Sequence, residues 1–163
     1  MNAEYEPWSV NATSVEATQR LAAELASVIE VPLAIGLSGT LGAGKTCFTQ
    51  ALATSLGVEE ADVTSPTYTL WQTYAIDPTL HHLDAYRIRS EDEFWDLGIE
   101  EAFEERAIVL IEWAEKFPDV LPDDALWIRI EAKDETVREF IVRATGPVSQ
   151  RNLAAWRSAW GEQ

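Results

Sequence analysis

Gly39-Thr40-Leu41-Gly42-Ala43-Gly44-Lys45-Thr46 has the spacing G-x-x-x-x-G-K-[ST], a pattern suited to holding phosphate. Glycines let the backbone bend until successive N–H groups converge on phosphate oxygens, and a helix start behind them adds partial positive charge. On this reading the backbone of Leu41, Gly42, Ala43, Gly44, Lys45, Thr46 and Cys47 binds a nucleoside triphosphate. The Lys45 ammonium reaches the β- and γ-phosphates, and the Thr46 hydroxyl ligates Mg²⁺. The bland alternative is a glycine turn without chemistry. Against it stands the context, a predicted buried strand just before the loop and a predicted helix just after. Lys45 is also one of only three lysines, with Lys116 and Lys133.

Such a loop works with an acid at the end of a neighbouring strand, which holds Mg²⁺ directly or through water. Two candidates compete. Asp84 ends the segment 80–84 (LHHLD), and Glu112 ends the more apolar run 107–112 (AIVLIE). Either can serve the metal while the other positions the attacking water. His81 and His82 have no metal-ligand spacing and read as strand residues. The Cys47 thiol reads as packing, with its backbone N–H near the α-phosphate. The start of the first helix, near Ser14, is a candidate wall for the base.

The elements that must position these groups follow from periodicity. Residues 13–29 read as a helix, with Thr13-x-x-Glu16 as a capping box and Leu21, Leu25, Val28 and Ile29 as its apolar stripe. Residues 33–38 read as a buried strand and 45–56 as a helix ended by Gly57. Ser65-Pro66 breaks the chain, and 67–76, rich in β-branched and aromatic residues, reads as a strand. Ser90-x-x-Glu93 opens a short helix through Leu97 that stops at Gly98. The run 107–112 predicts a central strand. Residues 126–132 and 137–145 flank Asp134-Glu135 as a terminal hairpin. Leu153, Trp156 and Trp160 lie at helical spacing, on a helix that covers the sheet or meets a partner. The expected fold is α/β, a P-loop NTPase domain over residues 1–163 with a mixed central sheet and flanking helices.

Composition narrows the function further. The 163 residues carry 12 Lys plus Arg against 28 Asp plus Glu, a formal charge of −16, yet 47% are hydrophobic and seven are Trp. That is one folded domain, not an acidic tail. Binding phosphate backbones through its own surface needs clustered cations that this chain lacks, and docking on an anionic membrane is disfavoured for the same reason. The lone Cys47 excludes an intramolecular disulfide or cysteine zinc site, which fits a reducing cytoplasm. No apolar stretch approaches membrane-spanning length, and the acidic N-terminus is unlike a signal peptide. Residues 91–105 hold eight acids and no base: a solvated helix face, or a docking surface for a basic partner.

The motifs together resemble the bacterial tRNA threonylcarbamoyladenosine biosynthesis ATPase family TsaE, the YjeE type. The matching segments are LSGTLGAGKT (37–46), SPTYTL (65–70), HLDAYR (82–87), DLGIEEAF (96–103) and LIEWAEKFPDVLP (110–122). The resemblance implies an ATPase that supports threonylcarbamoylation of adenosine 37 in tRNA. It would act with the transferase TsaD and its partner TsaB, meeting tRNA only through them. It implies Lys45, Asp84 and Glu112 as catalytic residues and Thr46, Asp84 and Glu112 around Mg²⁺. Thr67 would sense the γ-phosphate from a switch-like loop, and Trp113 would be a functional aromatic beside Glu112. Thr40 stands where the family usually has an acid, Cys47 where it has a second threonine, and Ala85 where it has leucine.

Two other readings share the P-loop. A small-molecule kinase would close an Arg-bearing lid over the phosphates, but the only close Arg pair is Arg87 and Arg89. A nucleotide sensor with vestigial hydrolysis would bind ATP and a partner but turn over little.

Overall fold

Two runs without polar interruption become the parallel middle of a sheet, because a strand covered on both faces needs apolar side chains on both. The computed structural model describes residues 6–40, 42–63 and 70–161. In chain order the elements are β1 (Trp8–Ala12), α1 (Val15–Val28), β2 (Leu33–Ser38), α2 (Lys45–Leu56), β3 (Trp71–Tyr74) and β4 (Leu80–Asp84). They continue with α3 (Glu91–Trp95), α4 (Ile99–Glu104), β5 (Ile108–Glu112), β6 (Leu126–Ala132), β7 (Arg138–Ala144) and α5 (Pro147–Gly161). The strands form one seven-stranded sheet in the order β1-β7-β6-β2-β5-β4-β3. β2 pairs in parallel with both β5 and β6, and β5 with β4; the outer pairs are antiparallel. This is the expected α/β architecture with a mixed sheet and flanking helices.

Alternation sorts the strand side chains onto two faces. On one, Leu33, Ile35, Leu37, Leu80, Ile108 and Leu110 pack under Leu21 and Leu25 of α1, Phe48 and Leu52 of α2, and Trp156 of α5. On the other, Ala34, Leu83, Val109 and Ile111 meet Phe94, Ile99 and Ala102 from α3 and α4. Gly36 is needed between them, since a Cβ there would lie 2.9 Å from both Leu121 and Trp127.

Several expectations change. Residues 8–12, assigned no element from sequence, form edge strand β1, with Trp8 packed edge-on against Trp156 at 5.3 Å. The cap of α1 is Ser14 and not Thr13: Ser14 Oγ accepts from the Ala17 amide at 3.0 Å. The strand expected over 67–76 is shorter at its C-terminal end, where β3 stops at Tyr74; residues 64–69 lie outside the described residues. The helix opened by Ser90 closes at Trp95, and a second one, α4, starts after Gly98 in a left-handed turn (φ 85°). The terminal hairpin is as expected, its turn held by Asp134 Oδ1 accepting from the Thr136 and Val137 amides. Leu153 and Trp156 are buried and Trp160 packs against the same core, so the α5 stripe covers the sheet. No helix among the described residues is long and apolar enough to cross a membrane.

Candidate functional site

The end of β2 feeds a loop whose shape depends on glycine. Gly39 has φ 141° and Gly44, which caps α2, has φ 107°. A Cβ on Gly39 would also run into the carbonyl oxygen of Ile130 on β6, so this turn is pressed against the sheet. Gly44 O then accepts from the Phe48 amide at 3.0 Å, and the helix is under way.

Lys45 is only 5% exposed. Its Nζ donates to the carbonyls of Gly39 (2.6 Å) and Thr40 (2.9 Å) and lies 4.0 Å from the centre of the Trp113 ring. Burial pulls this ammonium below its ordinary pKa, against the opposing attraction of Glu115, Glu112 and Asp84. Trp113 reaches it from a left-handed backbone position (φ 59°) directly after β5, and its ring packs at a tilt against Tyr86, centroids 4.9 Å apart. A non-glycine residue held in that region is the kind of strain that gathers at functional sites.

Parallel register places the two candidate acids side by side, Asp84 opposite Glu112 at the ends of β4 and β5. Both are buried. Asp84 Oδ1 accepts from the Tyr86 amide at 2.9 Å. Glu112 Oε1 lies 3.4 Å from the Thr46 hydroxyl, which donates to it, and Glu112 Oε2 lies 2.7 Å from His82 Nε2. Lys45, Thr46, Asp84, Glu112 and Trp113 are therefore gathered at one end of the sheet. Leu41 and Thr67 lie outside the described residues.

The donor set suits Mg²⁺: a hydroxyl and one or two carboxylates supply hard oxygens, with phosphate and water to complete the shell. No group of three or more His, Cys, Asp or Glu able to hold a metal occurs among the described residues, so nothing resembles an all-protein cage.

Beside the loop opens a cleft of about 440 Å³. Its lining includes Thr13 and Ser14 before α1, Gly44 and Cys47 at the start of α2, and Thr136 and Arg138 from the β6–β7 hairpin. Ser14, near which the sequence suggests a wall for the base, is thus a lining residue of this cleft. Thr136 and Arg138 were missed, because no motif marks them and only the folded hairpin brings them there. The half-buried Cys47 thiol has its pKa raised by burial, with Arg138 pulling weakly the other way.

Comparison with known proteins points to one group. The family described as "Threonylcarbamoyl adenosine biosynthesis protein TsaE" matches residues 12–140. The chain is 36% identical over 129 residues to the tRNA threonylcarbamoyladenosine biosynthesis protein TsaE of Treponema pallidum, covering 79% of this chain and 95% of that one. It is 38% identical over 140 residues to the protein of the same description from Bacillus subtilis, covering 85% and 84%. The crystal structure of Bacillus subtilis YdiB superposes with a TM-score of 0.76 at 26% identity, covering 96% of each chain.

Proposed function

The chain belongs to the TsaE family of tRNA threonylcarbamoyladenosine biosynthesis, and from that membership we propose that it is the ATP-binding and ATP-hydrolysing component of the machinery. The observation that carries this reading is the convergence of Lys45, Thr46, Glu112 and Asp84 at the mouth of a glycine loop opening a helix. The loop amides cradle the phosphates, and Lys45 exchanges the carbonyls of Gly39 and Thr40 for phosphate oxygens. Thr46, Glu112 and Asp84 would hold Mg²⁺, which supplies charge neutralisation on the triphosphate when bound. Glu112 or Asp84 orients the water that attacks the γ-phosphorus as the bond to ADP breaks. The 440 Å³ cleft takes the nucleoside, within the range of small-ligand sites.

The resemblance extends the proposal to action with TsaD and TsaB in the cytoplasm, with tRNA held by those partners. A kinase is less well supported by the geometry. Residues 113–125 pass through two short 3-10 turns directly into β6 and provide no lid. Lys45→Ala tests the core of the reading by calorimetry. ATP binding should be lost, and unchanged affinity would remove the P-loop assignment. Co-purification with TsaD and TsaB in ATP tests the pathway, and failure to associate would favour a stand-alone sensor.

A further inference from the structure

The two adjacent histidines of β4 point to opposite faces of the sheet and are satisfied very differently. His81 uses both nitrogens: Nδ1 faces Trp71 Nε1 (3.2 Å) and the Thr73 hydroxyl (3.0 Å), and Nε2 faces Glu105 (3.0 Å). That is a fully bonded structural histidine. His82 is 2% exposed and, among the described residues, makes one side-chain hydrogen bond, between Nε2 and Glu112 Oε2 at 2.7 Å. Its Nδ1 is buried with no partner among the described residues. Buried polar atoms are nearly always paired, so an imidazole left half-bonded needs a reason.

The proposed role of Glu112 sets the direction of that bond. A carboxylate that holds a cation is ionised and only accepts, so on this reading His82 Nε2 carries the hydrogen. In the neutral ring Nδ1 is then a bare lone pair, less costly to bury than an unpaired N–H. Glu112 gains a short donor on one oxygen, and its other oxygen faces Thr46. Without that donor the carboxylate could rotate about its last bond and present either oxygen.

Resting on the ATPase reading above, we infer that His82 is a positioning residue: its Nε2–H anchors Glu112 Oε2 and so aims Oε1 at the Mg²⁺ site beside Thr46. Outer partners of ligating groups commonly alter metal affinity by about 10–100-fold when removed.

The test measures ADP affinity by calorimetry in Mg²⁺ and in EDTA, for the wild type, His82→Leu, His82→Gln and Lys45→Ala. Leucine removes the donor, and the glutamine amide can replace it near the position of Nε2. The wild type should bind ADP more tightly in Mg²⁺ than in EDTA. His82→Leu should shrink that gain by about 10–100-fold and leave the EDTA affinity unchanged, and His82→Gln should restore most of it. A full Mg²⁺ gain in His82→Leu, equal losses with and without Mg²⁺, or a glutamine variant as weak as leucine would each overturn the inference. If Lys45→Ala binds ADP as well as wild type, the P-loop reading itself has failed, a distinct result. Should His82→Leu not fold, ¹⁵N NMR of the wild-type histidines decides. His82 must show a hydrogen on Nε2, and an Nε2 without one would overturn the inference.

Discussion

The Glu112 carboxylate is divided between two donors, Thr46 at 3.4 Å on one oxygen and His82 at 2.7 Å on the other. Glu112→Ala should lower ATP turnover by about 10²–10³-fold, the scale of losing one preorganised catalytic group. It should also lower the melting temperature, because His82 Nε2–H is left buried without an acceptor at a cost of about 1–3 kcal/mol. Phosphate release measured well below the transition separates the two effects. Equal turnover would move the role to Asp84. At this scale the sequence names the P-loop groups by their spacing and offers both acids as candidates at strand ends, and the fold brings these residues to one end of the sheet. It does not distinguish His82 from His81. Their different partners create that difference, and these come from β3, the residue just after α4, and β5. Nor does it show Lys45 folded onto the Gly39 and Thr40 carbonyls beneath Trp113, a contact that depends on one left-handed residue.

Among the elements, α5 is tied to the rest by a carboxylate outside it. Asp124, in the loop before β6, accepts from the amides of Val148 (2.8 Å) and Ser149 (3.0 Å) in the first turn of α5. Burial would raise its pKa, but the hydrogen bonds from Ser149 and Val148 outweigh this and hold it below the ordinary 3.8. A carboxyl depressed in the folded state adds stability that is present above 3.8 and lost as pH falls through the lowered native value. Asp124→Ala should therefore cost about 1 kcal/mol at neutral pH, as for other lost caps, and the gap should close on acidification. Urea titrations at several pH values check both points. Elements marked by strong local signals, such as 33–38, 45–56, 107–112 and the hairpin, were legible in the sequence. β1 and α4 were not, because five or six residues carry too little periodicity and tertiary partners decide their form. The acidic run also changes meaning: Glu91, Asp92, Glu93, Glu100 and Glu101 occupy the first turns of α3 and α4, where negative charge offsets the helix dipole. A docking role is not needed to explain them.

For the whole molecule, the formal charge of −16 sets a small electropositive loop in an acidic body. Isolated protein should bind tRNA weakly at physiological salt, and fluorescence anisotropy with labelled tRNA measures this directly. Tight binding by the purified chain would contradict the division of labour proposed with its partners. The sheet order has a separate consequence, for synthesis. β2, which delivers the phosphate loop, pairs on one side with β6, and β1 at residues 8–12 pairs with β7 at 138–144. A chain that has emerged from the ribosome only as far as residue 125 would have β2, β5 and β4 ready to pair, yet β2 would lack a neighbour on one side and β1 would lack any. Open strand edges invite pairing with other chains, and contacts this distant in sequence form slowly. The loop proposed to grip the triphosphate is thus translated early, but its supporting strand is enclosed only when the last hairpin arrives.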